Sequence, residues 1–476
     1  MEQLIIINFP GGIVSPGKLY HILTAADKVR VRYVRFGLRQ QLLIDIASYN
    51  VKAFTDELSL LNIDYEVDVN LFPNIISSYP AEQIFIRNTW LTEGVYKDVF
   101  DAIDFKPSVK VNICDNNQSF TPMLTGNINW VASSQSPHYW HLIIRFPKTN
   151  VVYEWNQLCY TNSIAMMTKE LAAVLAVNTA ADISDNVIKG ERLFSSINTT
   201  NFILKPAESA VTLSDFNLPY YEGLNRYNNK YWLGIYRRDE LFSVDFLKSV
   251  CKLCLATKLG QLCCTSWKTI IIKGIEEQHK QQWNALLEQF EINMRHAANE
   301  LNFQVEDNCL EGLTLKNYLV NYLSLADTRT FGICFGIKTR KKSEIFSSIL
   351  IRKRFLVHLF KLKFFPVYDI LCAKNFNPNE RTGFVFSKGN PKFLLPEQLR
   401  RAVLKFYKTR ASYMKNEYEV KDVGSEKSNK VEMSSVLQCT ACLTVYDEDF
   451  VGEVCELCES DKNNFVMIEK SVLQLQ

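Results

Sequence analysis

The stretch "VRFGLRQQLLIDI", residues 34–46, decides how this chain is read. A short strand-like piece, Val34 to Phe36, meets Gly37 and the turn residues Leu38-Arg39-Gln40, and then the β-formers Leu42, Leu43, Ile44 and Ile46. A glycine and polar residues between two apolar runs spell a hairpin. Residues 262–275, "LCCTSWKTIIIKGI", repeat the plan: an apolar piece, a turn with Thr265, Trp267 and Lys268, then Ile270, Ile271 and Ile272.

The flanks extend the likeness. Before the first hairpin come a strand, "LIIINF", and a helix whose start is marked by Ser15 and Pro16. After it, "VKAFTDELSLLN" sets Val51, Phe54, Leu58 and Leu61 on one helical face, and "IDYEVDVNL" is again a strand. This β-α-β-β-α-β order is the ferredoxin-like pattern. Around the second hairpin stand a strand, "KYWLGIYR", a helix ended by Gly260, and the helical "QQWNALLEQFEINMRHAANELN". An internal duplication is predicted. Between the copies, residues 106–146 alternate apolar and polar positions in three pieces, which predicts a further sheet.

The fold class is therefore α+β, two ferredoxin-like repeats followed by a small metal domain. The expected segments are a repeat over 1–75, a strand-rich α/β lobe over 76–205, a second repeat over 206–300 and a basic α/β lobe over 301–410. A polar, mixed-charge linker over 411–436 and the metal domain over 437–470 complete the division.

At 476 residues the chain exceeds one core, and 47% apolar with 22% charged residues is ordinary for a folded protein. Net charge is only +3, so no overall field argues for nucleic acid or membrane. The start, "MEQLIIINFPGG", reads as strand and turn rather than a signal peptide. The most apolar window, "FLVHLFKLKFFPVYDIL", is broken by Lys361, Lys363 and Pro366. Thirteen cysteines, an odd and scattered set, fit a reducing compartment, so a cytoplasmic location is expected.

Within that set, "CKLCLATKLGQLCC" offers Cys251, Cys254, Cys263 and Cys264. They read as core: Cys251 and Cys254 sit among leucines one turn apart, and adjacent strand residues point to opposite faces. The six histidines form no HxxxH or HExxH pattern, and "PGGIVSPGK" lacks the spacing of a phosphate loop.

The strongest chemical signal is at 439–458. Cys439-x2-Cys442, twelve residues, then Cys455-x2-Cys458 make two knuckles whose thiolates converge on one tetrahedral ion. So short a domain draws much of its folding free energy from the metal. Four thiolates suit iron or zinc. Residues 437–470 carry eight acids against Lys462 and Lys470, a net of −6, which opposes a nucleic-acid partner. Residues 338–410 carry eighteen Lys and Arg against four acids, a net of +14, so the acidic head is expected to dock on this basic surface or on a partner.

Two resemblances follow. "LQCTACLTVYDEDFVGEVCELCESDKNNFVMIE" resembles rubredoxin, in the short-loop form found in rubrerythrins, with Tyr446 and Phe465 at the packing positions. Leu443 and Glu456 replace the usual glycine and proline. This resemblance implies one iron per chain, held by Cys439, Cys442, Cys455 and Cys458, and single-electron transfer, with zinc as the alternative. The repeats are similar to those of the sirohaem-dependent nitrite and sulfite reductases, whose Arg-x-Thr-x-Arg-Gln turn opens onto the haem. Arg35, Arg39 and Gln40 match it, with Gly37 for threonine, and Pro107 and Lys110 match a later segment. That resemblance implies Arg35 and Arg39 as cofactor-binding residues.

No cysteine pair has the family's Cys-x5-Cys or Cys-x3-Cys cluster spacing, so sirohaem chemistry is not expected. The bland reading of Arg30, Arg32, Arg35 and Arg39, a solvated and ion-paired edge strand, is preferred. The expected function is an electron carrier rather than an enzyme, serving a redox partner such as a nitrite or sulfite reductase. A sirohaem-binding reductase and a zinc-ribbon interaction protein are the alternatives.

Overall fold

The computed structural model describes residues 2–86, 89–146, 152–177, 186–340, 345–359, 362–380, 382–423, 435–439, 445–447 and 461–469. The chain forms two compact units, Met1–Phe406 and Tyr407–Gln476.

In the first unit the opening repeat runs β1 (Glu2–Asn8), β2 (Ile13–Val14), α1 (Pro16–Lys28), β3 (Tyr33–Phe36), β4 (Gln41–Ala47), α2 (Val51–Leu60) and β5 (Glu66–Val67). Its strands lie in the order β3-β4-β1-β5, all antiparallel, which is the ferredoxin-like sheet. A lobe follows: β6 (Ile76–Ser77), α3 (Glu93–Ala102), β7 (Val111–Cys114), β8 (Ile128–Ala132), β9 (Tyr139–Arg145), β10 (Val152–Tyr160), α4 (Ile164–Val177), α5 (Asn186–Ser195) and β11 (Leu204–Pro206). Strands β6, β7 and β8 are parallel, and β9, β10 and β11 continue the sheet antiparallel.

The second repeat holds β12 (Gly223–Tyr227), β13 (Lys230–Ile235), β14 (Phe242–Ser243), α6 (Val244–Ala256), β15 (Leu262–Cys264), β16 (Ile270–Ile275) and α7 (Lys280–Gln289). Its sheet is ordered β12-β13-β16-β15, so the place that β5 takes in the first copy is filled by the preceding strand β12. The second lobe comprises α8 (Ala298–Leu301), β17 (Phe303–Val305), α9 (Leu310–Leu325), β18 (Phe335–Lys338), β19 (Ile349–Leu359), β20 (Leu362–Ala373), β21 (Gly383–Asn390) and the start of α10 (Leu395–Val423). It repeats the first lobe's plan, with β17, β18 and β19 parallel and then β20 and β21 antiparallel.

The duplication holds in backbone detail. Ser15 and Ser243 both cap the first helix of their repeat, accepting from the N–H of Lys18 and Phe246. Arg30 and Lys258 both take positive φ just past those helices, at 63° and 58°. The hairpins Gly37–Gln41 and Thr265–Thr269 share the same two backbone bonds, with Gln40 and Lys268 at φ 58° and 57°.

The copies interlock. β2 of the first repeat pairs with β15 of the second, and β14 of the second pairs with β3 of the first. The arginine-bearing β3 is thus not the edge strand expected, because β14 covers it at Tyr33 and Val34. Two-residue strands leave no periodicity to read, which is why the exchange was hidden. One apolar core serves both repeats, with Leu19, Ile22 and Leu23 of α1 beside Phe246, Leu247 and Val250 of α6. Cys251 and Cys254 lie in it, while Cys263 and Cys264 turn to different cores on either face of β15. Burial pushes the thiol of Cys251 up to about 12 and that of Cys263 up to about 11, so they pack as neutral, small hydrophobes.

α10 runs 29 residues to Val423, well into 411–436. Its stretch "ASYMKNEYEVKDV" has no Gly or Pro, and its mixed charge suits a solvated helix as well as a loop.

Candidate functional site

In the second unit, β22 (Ser435–Cys439), β23 (Val445–Asp447) and β24 (Phe465–Glu469) form an antiparallel sheet in the order β23-β22-β24. Cys439 is the last residue of the central strand, opposite Phe465, and Leu437 lies opposite Tyr446. Asp461 caps the turn into β24, accepting from Asn463 N–H at 3.2 Å. Cys442, Cys455 and Cys458 lie outside the described residues, among which no group of three or more Cys, His, Asp and Glu is gathered for a metal.

In the first unit the Gly37–Gln41 turn, read as a cofactor site, is built as a clasp. Gln40 binds Ser77 twice, its Nε2 donating to the carbonyl and its Oε1 accepting from the N–H, both at 2.9 Å. Gly12 makes room for this: it has φ 78°, and a Cβ there would stand 2.5 Å from the carbonyl of Cys264 and 2.9 Å from the Gln40 amide carbon. Asn74 closes the loop, donating to the carbonyls of Phe9 and Arg39 at 2.7 and 2.8 Å.

Arg39 is 4% exposed. Its Nε and Nη2 donate to Asn74 O at 3.0 and 2.6 Å, Nη2 donates also to Val111 O at 3.0 Å, and Nη1 reaches Asn112 Oδ1 at 3.5 Å. All three guanidinium nitrogens are therefore engaged by the chain itself. Arg35 donates to Asp45 and, at 2.7 Å, to Asn308 Oδ1. It lines a cavity of about 650 Å³ with Asp45, Arg237, Arg238, Glu240 and Asn308, which Arg39 does not enter. The two arginines are not brought to one ligand surface. An anionic macrocycle needs free guanidinium donors for its carboxylates, and Arg39 as placed does not fit such a group. Arg30 and Arg32 are exposed beside Arg35 along a neighbouring groove.

The second turn carries a charge cluster that sequence reading missed. Lys268, the counterpart of Gln40, is 5% exposed. Its Nζ lies 2.7 Å from Glu240, 3.2 Å from Glu306 O and 3.5 Å from Asp307. Asp307 also accepts from Leu38 N–H at 3.1 Å, which ties the second lobe to the first turn. Nearby, Glu300 takes Arg238 on both oxygens at 2.7 and 2.9 Å. His296 Nδ1 meets Glu222 at 2.6 Å. Lys316 donates to Tyr236 Oη, and burial pulls its ammonium down to about 8. The cue available was a lysine on an apolar hairpin with Glu240 and Glu306 beside strand-like runs, residues that are buried only when paired.

No family model matches the chain, and no curated protein does. Among solved structures, that of the Mycobacterium tuberculosis NirA protein is similar with a TM-score of 0.65, covering 86% of this chain and 81% of that chain at 12% identity. At that identity the likeness is one of fold. The chain thus shares the overall fold of that protein, a repeated α+β structure.

Proposed function

We propose that this chain is a single-electron carrier whose body is a sulfite reductase-like scaffold and whose metal sits in the C-terminal knuckles. Cys439, Cys442, Cys455 and Cys458 are the ligands. The observation that carries the reading is the pair of Cys-x2-Cys knuckles twelve residues apart, the first opening at the end of the central strand of a three-stranded sheet. Iron in four thiolates supplies a one-electron couple and leaves no open coordination position for a substrate. The chain's own part is to hold the thiolates and exclude water. To Phe465, in register with Cys439, and Tyr446, in register with Leu437, this reading assigns the second task.

The net charge of −6 over 437–470 selects a basic docking surface, on a redox partner such as a nitrite or sulfite reductase or on the chain's own 338–410. A metal count with a visible spectrum tests the assignment: one iron per chain, with colour bleached by dithionite, is expected. A colourless protein with one zinc replaces the carrier by a zinc-ribbon interaction protein.

A second reading, a sirohaem-binding nitrite or sulfite reductase, draws support from the fold shared with NirA. Against it stand the carbonyl-bound guanidinium of Arg39 and the missing cluster spacing. Acid–acetone extraction after expression with the cofactor's biosynthetic enzymes decides it, since recovered sirohaem would restore that reading.

A further inference from the structure

Arg30 and Arg32 stand at the corner where α1 gives way to β3. With the end of β4 and the start of α2, this corner walls a groove of about 710 Å³. The groove is lined by four cations, Lys28, Arg30, Arg32 and Arg35, and by two carboxylates, Glu2 and Asp45. Lys28 is taken by Glu57 at 2.8 Å, and Arg35 by Asp45 and Asn308. Arg30 and Arg32 are exposed, and among the described residues neither guanidinium has a hydrogen-bond or ion-pair partner.

Two tyrosines line the same groove. Tyr33 is 53% and Tyr49 86% exposed, so their rings add little to the core. The wall that carries them is held in place. Arg32 O accepts from Val244 N–H at 2.9 Å, and Tyr33 pairs with Ser243 of the exchanged strand β14. Asn50, next to Tyr49, donates from Nδ2 to Val29 O at 3.0 Å.

The second repeat shows that the fold does not require this set. Its matching corner walls a groove of about 760 Å³. Lys258 stands there where Arg30 does, but Gly260 and Gln261 follow in the places of Arg32 and Tyr33. In the turn before α7, Gln278 takes the place of Tyr49 in the turn before α2.

We propose that the groove of the first repeat binds a nucleoside diphosphate group, free or as part of a dinucleotide. Each guanidinium presents a planar fork of N–H donors that matches phosphate oxygens, and two forks on one wall suit two phosphates. An exposed phenol ring offers a face on which any base can stack. The volume is that of a small-ligand site. A nucleic-acid strand is a poorer occupant, because Glu2, Asp45 and Glu57 border these cations and oppose a longer phosphate track. The inference does not depend on the metal: zinc in the knuckles would end the carrier reading and leave this one standing.

Isothermal titration of the purified full chain with ADP tests it, with NADH, adenosine and inorganic pyrophosphate as companion probes. Expected is saturable one-to-one binding of ADP or NADH, and the tighter of the two tells a free nucleotide from a dinucleotide. Adenosine and pyrophosphate each bind at least about tenfold more weakly. Arg32→Gly, and Tyr33→Gln together with Tyr49→Gln, each weaken binding about tenfold while the urea midpoint stays at the parent's. Arg32→Gln serves if Arg32→Gly lowers that midpoint, and Lys258→Gln leaves the affinity unchanged. The proposal is overturned if neither ADP nor NADH binds below about 5 mM, or if adenosine or pyrophosphate binds as tightly as ADP. Affinity unmoved by the Arg32 or tyrosine substitutions, or a thymidine oligonucleotide that binds more tightly than ADP through the same residues, overturns it as well.

Discussion

Replacing Arg39 by alanine separates a structural role from a ligand-binding one. In the folded chain this guanidinium satisfies two main-chain carbonyls, Asn74 O and Val111 O, and approaches the amide oxygen of Asn112. Val111 and Asn112 are wholly buried and Asn74 nearly so. Removing the donor leaves these acceptors without it, at about 1–2 kcal/mol each, so a loss of about 3–5 kcal/mol is expected. Arg39→Lys recovers part of it, since one ammonium cannot span the same acceptors. Arg35→Ala is the control. Arg35 is half-buried and its Asp45 partner keeps contact with water, so the cost is below about 1 kcal/mol. Urea unfolding of the full chain, followed by tryptophan fluorescence, measures both. Were Arg39 instead held free for a cofactor carboxylate, its loss would leave the cofactor-free protein unchanged or more stable. A midpoint for Arg39→Ala equal to the parent's refutes the clasp.

The buried Lys268–Glu240 pair predicts that Lys268→Met alone costs about 3–5 kcal/mol, while Lys268→Met with Glu240→Gln recovers most of it in a double-mutant cycle. Lys316, pulled down to about 8 from 10.5 by burial, adds a pH dependence. Between those values the folded state has released the proton and the unfolded state still binds it, so stability rises with pH there and Lys316→Met flattens the rise; urea midpoints from pH 7 to 11 read this. Ellman's reagent is expected to leave Cys251, Cys254, Cys263 and Cys264 unreacted in the native chain and to titrate them in urea, because burial keeps all four thiols protonated.

Much of the repeated body was legible because its hairpins announce themselves. Gly37 and Gln40 in one copy and Thr265 and Lys268 in the other sit between apolar runs long enough to show a period, and the structure gives both turns the same bonds. The exchange of β2 and β14 was not legible, since a two-residue strand has no period and its partner lies over two hundred residues away in sequence. Charge misled twice. The polar stretch past Ala411, read as a linker, continues α10 to Val423, because a run of helix formers without Gly or Pro can be helical with no apolar stripe to announce it. The arginines of β3 looked like one surface, yet Arg35 faces a cavity while Arg39, beyond the strand's end, turns inward onto carbonyls. Pairings such as Lys268 with Glu240 depend on contacts between hairpins that no local pattern encodes.

The most direct test of the carrier reading is elemental analysis with a visible spectrum on the full chain, purified without chelator or added metal from iron-replete cells. One iron per polypeptide, with thiolate-to-iron absorption that dithionite bleaches and that vanishes when Cys439 and Cys442 become serine, is the predicted result. One zinc per polypeptide and no visible band, from the same cells, would contradict it.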